Sequence, residues 1–198
     1  VGAAGDVAID KATDGGVLYS LPGLDVQASE ICIYYIRQDW LDNLNLKAPT
    51  TIEELNEVLR AFTEDDPDGN GANDTYGLEM CKYTGPWDII QTWFGCGNGW
   101  VEQDGKLVPV HQTAEYKEAL DWMRKIYADG LVRPDWATVD TANFQVDSQK
   151  GVTGVFVDTM DGTKRIWKYF EDNAIADVND ASKICLLYTS DAADDLTR

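Results

Sequence analysis

The chain has 198 residues, of which 35 are Asp or Glu and 16 are Lys or Arg, so its formal net charge is −19 at pH 7. This balance excludes a nucleic-acid-binding protein, because a phosphate backbone has to be met by a basic surface. It also disfavours an anionic membrane surface as a partner. Hydrophobic residues make up 44% of the chain, enough to fill the core of a domain. No apolar run approaches the roughly 20 residues of a membrane span.

The first forty residues predict two strands. The segment 16–22 is a short apolar run that Pro22 ends, and 31–36 is a continuous run of β-branched and aromatic residues. A run without polar alternation is typical of a strand buried on both faces. A short helical pattern follows within 39–46.

A longer amphipathic helix is predicted over 52–63. Thr50 or Thr51 can cap its first turn, with Glu53 or Glu54 as the acidic partner in a capping box. Apolar residues at helical spacing form one stripe along this helix, and they are Ile52, Leu55, Leu59 and Phe62.

The polar, Gly-rich loop at 65–74 carries the most specific chemical pattern in the sequence. Gly71 has the turn position of a calcium loop. Position twelve is Gly77, where a calcium-sensing EF-hand has a bidentate Glu, so we expect a structural calcium ion that joins the preceding helix to the next segment. The alternative is a solvated Asp/Asn/Gly-rich turn. The ligands at positions one, three, five, seven and nine would be Asp66, Asp68, Asn70, Ala72 through its backbone carbonyl, and Asp74.

Downstream of this loop, helices and strands alternate, which is the pattern of the α/β class. Pro86 begins a short aromatic helix, and Asp104-Gly105 predicts a hairpin between the apolar segments around it. A buried strand is expected at 152–157, with a helix at 163–170 after it.

The strongest helical pattern covers 114–128, and Gly130 is its predicted end. Its apolar face is expected to consist of Tyr116, Ala119, Leu120, Met123, Ile126 and Tyr127.

Aromatic residues provide a second chemical signal, because the chain has seven Trp and nine Tyr. Several stand beside Gly or Asp in predicted loops, where a flat ring next to carboxylates and amides suits a sugar. The alternative is that these rings only fill the core. The residues concerned are Tyr83, Trp87, Trp100 and Trp136.

Catalytic patterns are weak. His111 is the single histidine, and no Ser or Cys nucleophile motif, Walker motif or dinucleotide-binding glycine pattern is present. A pair of glycosidase carboxylates cannot be recognised from spacing. We therefore expect no catalytic residues and no enzyme. Cys81 and Cys96 lack a CxxC spacing, and whether they pair is left open.

The C-terminal segment 185–198 resembles a translated sequencing adapter. Its residues 185–194 read Cys-Leu-Leu-Tyr-Thr-Ser-Asp-Ala-Ala-Asp, the peptide that a library-preparation adapter encodes. We accordingly expect 181–198 to be a non-native tail and 185–198 to contribute no packing.

An ordered series of segments resembles the extracellular solute-binding proteins, family 1, of carbohydrate ABC importers, and in particular their lipoprotein type with a calcium loop. The segments are 37–44, 49–55, 66–71, 74–78, 113–120, 130–137 and 150–155.

The resemblance implies a periplasmic-binding-protein-like, type II, two-lobed α/β fold with the ligand between the lobes. Residues 1–24 would be a remnant of the first lobe and its hinge strand, and 25–180 the second lobe, so that half a cleft is encoded. The implied partners are a sugar or oligosaccharide and the ABC permease subunits. The implied location is the cell surface or the periplasm, through a lipid anchor that this sequence does not include.

The expected ligand-binding residues follow from strand topology and from the aromatic signal. In open α/β sheets ligands lie beyond the carboxyl ends of strands, which places Asp158, Thr159 and Met160 at the cleft. Two classes remain as alternatives to transport: a glycoside hydrolase, and a calcium-dependent adhesion or scaffolding module. The stacking residues are expected to be Trp87 and Trp100, with Tyr19 at the hinge.

Overall fold

The computed structural model describes residues 9–10, 12–20, 32–173 and 184–186. It divides into two compact units, Val1–Glu30 and Ile31–Arg198. The described part of the first unit contains an antiparallel ribbon of β1 (Thr13–Asp14) and β2 (Val17–Leu18), with Gly15 and Gly16 at the turn in positive φ. Of the strand predicted at 16–22, the structure describes a strand over β2, and 21–22 lie outside the described residues.

In the second unit, helices and strands alternate as predicted. The strands are β3 (Cys32–Arg37), β4 (Tyr76–Leu78), β5 (Trp100–Gln103), β6 (Lys106–Pro109), β7 (Thr153–Thr159) and β8 (Ile184–Leu186). The α-helices are α1 (Gln38–Asn43), α2 (Ile52–Glu64), α3 (Gly85–Ile90), α4 (Ala114–Ala128), α5 (Val146–Gln149) and α6 (Met160–Asn173). Short 3₁₀ helices occur at Gln91–Phe94, Val110–Gln112, Trp136–Thr138 and Thr141–Asn143.

The central sheet has the strand order β4-β7-β3-β8. β4 is parallel to β7, whereas β3 is antiparallel to both β7 and β8. Side chains alternate between the two faces of the sheet. Tyr35 and Phe156 stack on the face that α6 covers with Ile166 and Phe170, whereas Ile36 belongs to the larger cluster on the other face. The prediction that the run at 31–36 forms a strand covered on both faces is therefore confirmed.

Helix α2 begins where the capping pattern predicted. Thr51 Oγ1 accepts a hydrogen bond from the Glu54 backbone N–H at 3.2 Å, and Glu54 Oε2 in turn accepts one from the Thr50 N–H at 2.7 Å. These bonds satisfy N–H groups that have no partner within the helix. The buried face of α2 consists of Leu55, Val58, Leu59 and Phe62, each worth about 1.5–3 kcal/mol when fully buried.

Helix α4 has the predicted ends, and Ala119, Met123 and Ile126 of its predicted apolar face are buried. Thr113 caps it, and Gly130, with φ 76°, ends it. Leu120 and Tyr127 were expected on the apolar face, yet each is 47% exposed. The buried face is centred instead on Trp122, whose Nε1 donates to Asn56 Oδ1 at 2.7 Å, and it also includes Ala119, Met123 and Ile126. A large ring with a polar partner on α2 sets the rotation of the helix.

The predicted hairpin is present as β5 and β6. Asp104 and Gly105 both have positive φ, 53° and 73°, which is the geometry of a type I′ turn. Trp100 stands on this hairpin and is 63% exposed.

The remaining elements refine three predictions. Cys81 and Cys96 are buried free thiols, so they do not form a disulfide. In β8, Cys185 and Leu186 pair with Ile36 and Tyr35, so the first two residues of the segment expected to lack packing take part in the sheet, because they extend its β3 edge. Within the part of the chain that the structure describes, no helix has the length and apolar character needed to cross a membrane.

Candidate ligand-binding site

The carboxyl end of β7 holds a fixed carboxylate. Asp158 Oδ1 accepts a hydrogen bond from the Thr159 N–H at 2.7 Å, and Thr159 Oγ1 accepts one from the Gly162 N–H at 3.3 Å. The Asp158 carboxylate lies so close to Gly162 that a Cβ at position 162 would overlap it. A side chain at position 162 would force the Asp158 carboxylate to move, so the glycine in the turn from β7 into α6 permits the observed position of Asp158.

Asp158 lines a cavity of about 420 Å³, here called cavity A. Gln145 Nε2 donates to Asp158 Oδ2, and Arg165 Nε donates to Gln145 Oε1 at 3.3 Å. A carboxylate, an amide and a guanidinium thus form one polar chain along the wall, and such a chain offers both donors and acceptors to hydroxyl groups. The remaining wall consists of Tyr83, Thr141, Ala142, Phe144, Val146 and Gln149.

A second cavity of about 410 Å³, cavity B, has mainly apolar walls. Trp87 is half-buried there, and its Nε1 donates to the Tyr116 hydroxyl at 3.2 Å with the two rings edge to face. This hydrogen bond fixes the indole plane. Tyr83 lines both cavities. The other residues that line cavity B include Met80, Thr84, Leu120, Met123 and Trp136.

The structure brings some of the expected ligand residues together and leaves others apart. Asp158 lines cavity A and Trp87 lines cavity B. Thr159 follows Asp158 directly, and Met160 is the first residue of α6. Trp100 is not among the residues that line either cavity, and Tyr19, 74% exposed, belongs to the unit Val1–Glu30.

Most wall residues of cavity A were missed from the sequence, among them Phe144, Gln145 and Arg165. The first two lie between a 3₁₀ turn and the four-residue α5, a stretch too short to show a hydrophobic period. Arg165 offered a usable signal, because a cation in the first turns of a helix that follows a strand end lies near that end.

A buried carboxyl group anchors the wall that contains α5. Glu79 is 4% exposed, and its Oε2 accepts hydrogen bonds from the Ser148 Oγ, from the Ser148 N–H at 3.2 Å and from the Thr153 Oγ1 at 3.5 Å. Burial first, and then the nearby charge of Asp147, raises the pKa of Glu79 well above its ordinary value. Arg133 does not neutralise Glu79, because its guanidinium pairs with Asp147 and Asp135.

The Asp66 loop closes through hydrogen bonds of its own. Asp66 accepts from the N–H groups of Asn70 and Gly71 at 3.0 and 2.9 Å. Asn70 Nδ2 donates to Asp68 at 3.0 Å and to Asp74 at 3.3 Å, so an amide nitrogen lies between two carboxylates. Burial raises the pKa of Asp68, and the charges of Asp74 and Asp66 add to that effect.

The donor set of this loop has the chemistry of a hard-cation site, since it consists of carboxylate, amide and carbonyl oxygens. Among the residues that the structure describes, however, no group of three or more His, Cys, Asp and Glu side chains is arranged so that it could hold a metal ion. Gly77 explains why the twelfth position cannot supply a Glu: a Cβ there would lie 2.6 Å from the Leu59 carbonyl oxygen of α2.

Comparison with known proteins gives the chain its context. No protein-family model matches it. It is 43% identical to Lipoprotein LipO of Bacillus subtilis strain 168 over 142 aligned residues. The aligned region covers 69% of this chain and 28% of LipO. It is 39% identical to the polygalacturonan/rhamnogalacturonan-binding protein YtcQ of the same organism over 127 aligned residues. The aligned region covers 63% of this chain and 26% of YtcQ.

Solved structures share the architecture. The HMO-binding, ABC-transporter-associated solute-binding protein of Bifidobacterium longum infantis superposes with a TM-score of 0.68 at 28% identity, over 77% of this chain and 35% of that one. The substrate-binding protein FusA of Streptococcus pneumoniae, in complex with kestose, superposes with a TM-score of 0.62 at 27% identity, over 71% of this chain and 30% of FusA. An EF-hand mutant of FusA, in complex with fructo-nystose, gives 0.60 at 26% identity, over 69% of this chain and 29% of that one.

The fold is that of part of a type II solute-binding protein. The chain spans between a quarter and a third of the length of the curated relatives LipO and YtcQ. Within this type II fold, cavity A lies at the carboxyl end of a sheet strand, where open α/β sheets bind their ligands.

Proposed function

We propose that the chain is part of the solute-binding component of an ABC importer, which binds a sugar or oligosaccharide between two lobes and delivers it to a permease. The observation that carries this proposal is the polar wall of cavity A at the end of β7, in a fold whose relatives include the polygalacturonan-binding YtcQ and FusA in complex with kestose. Lobe closure on the ligand would present the closed form to the permease.

The proposal gives the parts of the chain distinct roles. Residues 1–24 belong to the first lobe and its hinge, 25–180 form the second lobe, and 181–198 are a non-native tail, of which 185–198 derive from a sequencing adapter. The protein acts outside the cytoplasmic membrane, as a cell-surface lipoprotein or in the periplasm. The name of the relative LipO supports the lipoprotein type.

In this site Asp158 and its partner Gln145 bind sugar hydroxyls, because a carboxylate and an amide together accept and donate hydrogen bonds. Trp87 supplies an apolar ring in cavity B, whereas Trp100 and Tyr19, which line neither cavity, are proposed as additional ligand-binding residues. Thr159 and Met160 complete the edge beyond β7. No bond is made or broken, so the role is recognition without turnover.

The proposal includes a structural calcium ion at the Asp66 loop. The ion would take the place of the Asn70 amide nitrogen between Asp68 and Asp74, and its charge would offset the repulsion among the carboxylates of this loop. A solved structure of FusA is described as an EF-hand mutant, so a relative contains an EF-hand, and this supports a calcium-binding role for the Asp66 loop. When bound, calcium supplies charge compensation and staples the end of α2 to β4.

Saturation-transfer NMR on the 198-residue chain tests the binding function, because it detects the weak affinity expected of half a cleft. The probes are fructose, sucrose and kestose, and galacturonic acid with its dimer and trimer. At least one series is expected to give a signal, and Asp158→Ala is expected to weaken binding by about 1 kcal/mol or more, the scale of a lost hydrogen bond to a charged group.

The exposed Asp42 of α1 lines neither cavity, so Asp42→Ala is the matched control. If Asp158→Ala and Trp100→Ala both leave the affinity within about 0.5 kcal/mol of the parent chain, the placement of the site is wrong. Cleavage of any probe in the same NMR sample would instead identify a glycoside hydrolase.

A further inference from the structure

Tyr83 is part of the wall of both cavities. Its side chain is 49% exposed, and its ring meets the Phe144 ring of cavity A edge-on, with the centroids 6.2 Å apart. Tyr83 also belongs to the Met80–Thr84 segment, whose residues line cavity B. One aromatic ring therefore joins two cavities of similar volume.

The two cavities differ in what they can bind. Cavity A offers Asp158, Gln145 and Arg165, which hydrogen-bond to hydroxyl groups. Cavity B is lined by the apolar rings of Trp87 and Trp136, among other residues. Lys82, the charged residue of cavity B, pairs with Asp140, so its ammonium group already has a carboxylate partner. A polyhydroxylated ring suits cavity A, and the C–H face of a ring suits cavity B.

We infer that the ligand is an oligosaccharide of at least two units that crosses Tyr83, with a hydroxyl-rich unit in cavity A and the apolar face of its neighbour in cavity B. This inference rests on the proposed function and deepens it. A monosaccharide fills one cavity alone, so it lacks the contact that a second unit makes on the other side of Tyr83. The apolar face of a sugar ring on an indole is held by dispersion and by desolvation of that face.

Gly85 gives an independent means of moving the Tyr83 ring. A Cβ at position 85 would lie 2.6 Å from Tyr83 Cζ and 2.7 Å from its hydroxyl oxygen. Because Gly85 is the first residue of α3, alanine is compatible with the helix there. Gly85→Ala therefore displaces the phenol ring without removing it.

The test measures dissociation constants by NMR titration of the full chain with the fructose and galacturonic acid series named above. The two- and three-unit sugars of the series that binds are expected to bind about three- to ten-fold more tightly than the single unit, the worth of one aromatic contact. Tyr83→Ala and Gly85→Ala are expected to abolish this gain, so that each variant binds the single unit and the longer sugars with the same affinity. Tyr83→Phe is expected to keep it.

Tyr127→Ala is the control, because Tyr127 is an exposed tyrosine of α4 that lines neither cavity. Tyr83→Leu replaces Tyr83→Ala if circular dichroism shows that the alanine variant is unfolded. Equal affinity for one and two units, or equal weakening of all lengths by Tyr83→Ala, overturns the inference and leaves the proposed function standing. The absence of binding by every probe would overturn the proposed function itself.

Discussion

Glu79 should make the stability of this protein fall as the pH rises, and Glu79→Gln should remove that dependence. Burial and Asp147 raise the pKa of Glu79 above its ordinary value of 4.5, so the folded state favours the protonated carboxyl group. The stabilising contribution is therefore fully present below pH 4.5, and it is lost as the pH rises from there through the raised pKa.

The hydrogen bonds of Glu79 determine how much substitutions at Glu79 and Ser148 are expected to change the free energy of unfolding. Gln keeps an oxygen that accepts from Ser148 and Thr153, so at neutral pH Glu79→Gln is expected to change the free energy of unfolding by less than about 1.5 kcal/mol, in either direction. Glu79→Ala leaves those buried donors without an acceptor, and this costs about 1–3 kcal/mol. Ser148→Ala is expected to cost a similar amount, since it removes the hydroxyl that bonds to both Glu79 and Thr153.

Urea unfolding from pH 4.5 to 8.5 provides the assay. The chain repels itself at high pH because of its net charge of −19, but this effect is common to the parent and the variant and cancels in their difference. Glu57→Gln removes an exposed carboxylate of α2 and serves as the control, with a much flatter difference curve. Parallel pH profiles for the parent chain and Glu79→Gln would refute the reasoning.

Three further predictions concern the loop, the α2 contact and the C-terminal segment. Calcium is expected to raise the melting temperature of the parent chain, because it binds the folded loop alone, whereas Asp68→Ala should abolish the shift; an unchanged melting temperature in chelator and in calcium would leave the loop as a solvated turn. Gly77→Ala is expected to destabilise the chain by about 1–3 kcal/mol in urea unfolding, because its Cβ meets the backbone of α2, and a cost close to zero would show that β4 can shift. Deletion of residues 185–198 is expected to be neutral, and a destabilisation above roughly 1 kcal/mol would show that β8 belongs to the protein.

Local patterns predicted the elements whose signal lies within one segment. The Thr51 cap and the apolar stripe fixed α2, and Asp104-Gly105 fixed the turn between β5 and β6. Each of these depends on the conformational preferences of residues close in sequence, which can be recognised without knowing the tertiary structure.

The parts that escaped prediction depend on contacts between distant residues. The buried face of α4 follows Trp122 because its indole finds Asn56 on another helix. The wall of cavity A is held by the contact of Ser148 with Glu79, which are 69 residues apart in sequence. Asp158 was predicted because strand topology places it, whereas Gln145 reaches it from a segment without a periodic pattern.

The parallel pairing of β4 with β7 has a consequence for how specificity could change. Parallel strands send their following loops out at the same edge of the sheet, so the Met80–Thr84 segment and Asp158 emerge side by side. Insertions or substitutions in the Met80–Thr84 segment or at the turn from β7 into α6 would alter the walls of the two cavities while the paired backbone remains unchanged. The paired strands and the cavity walls can therefore vary independently of each other.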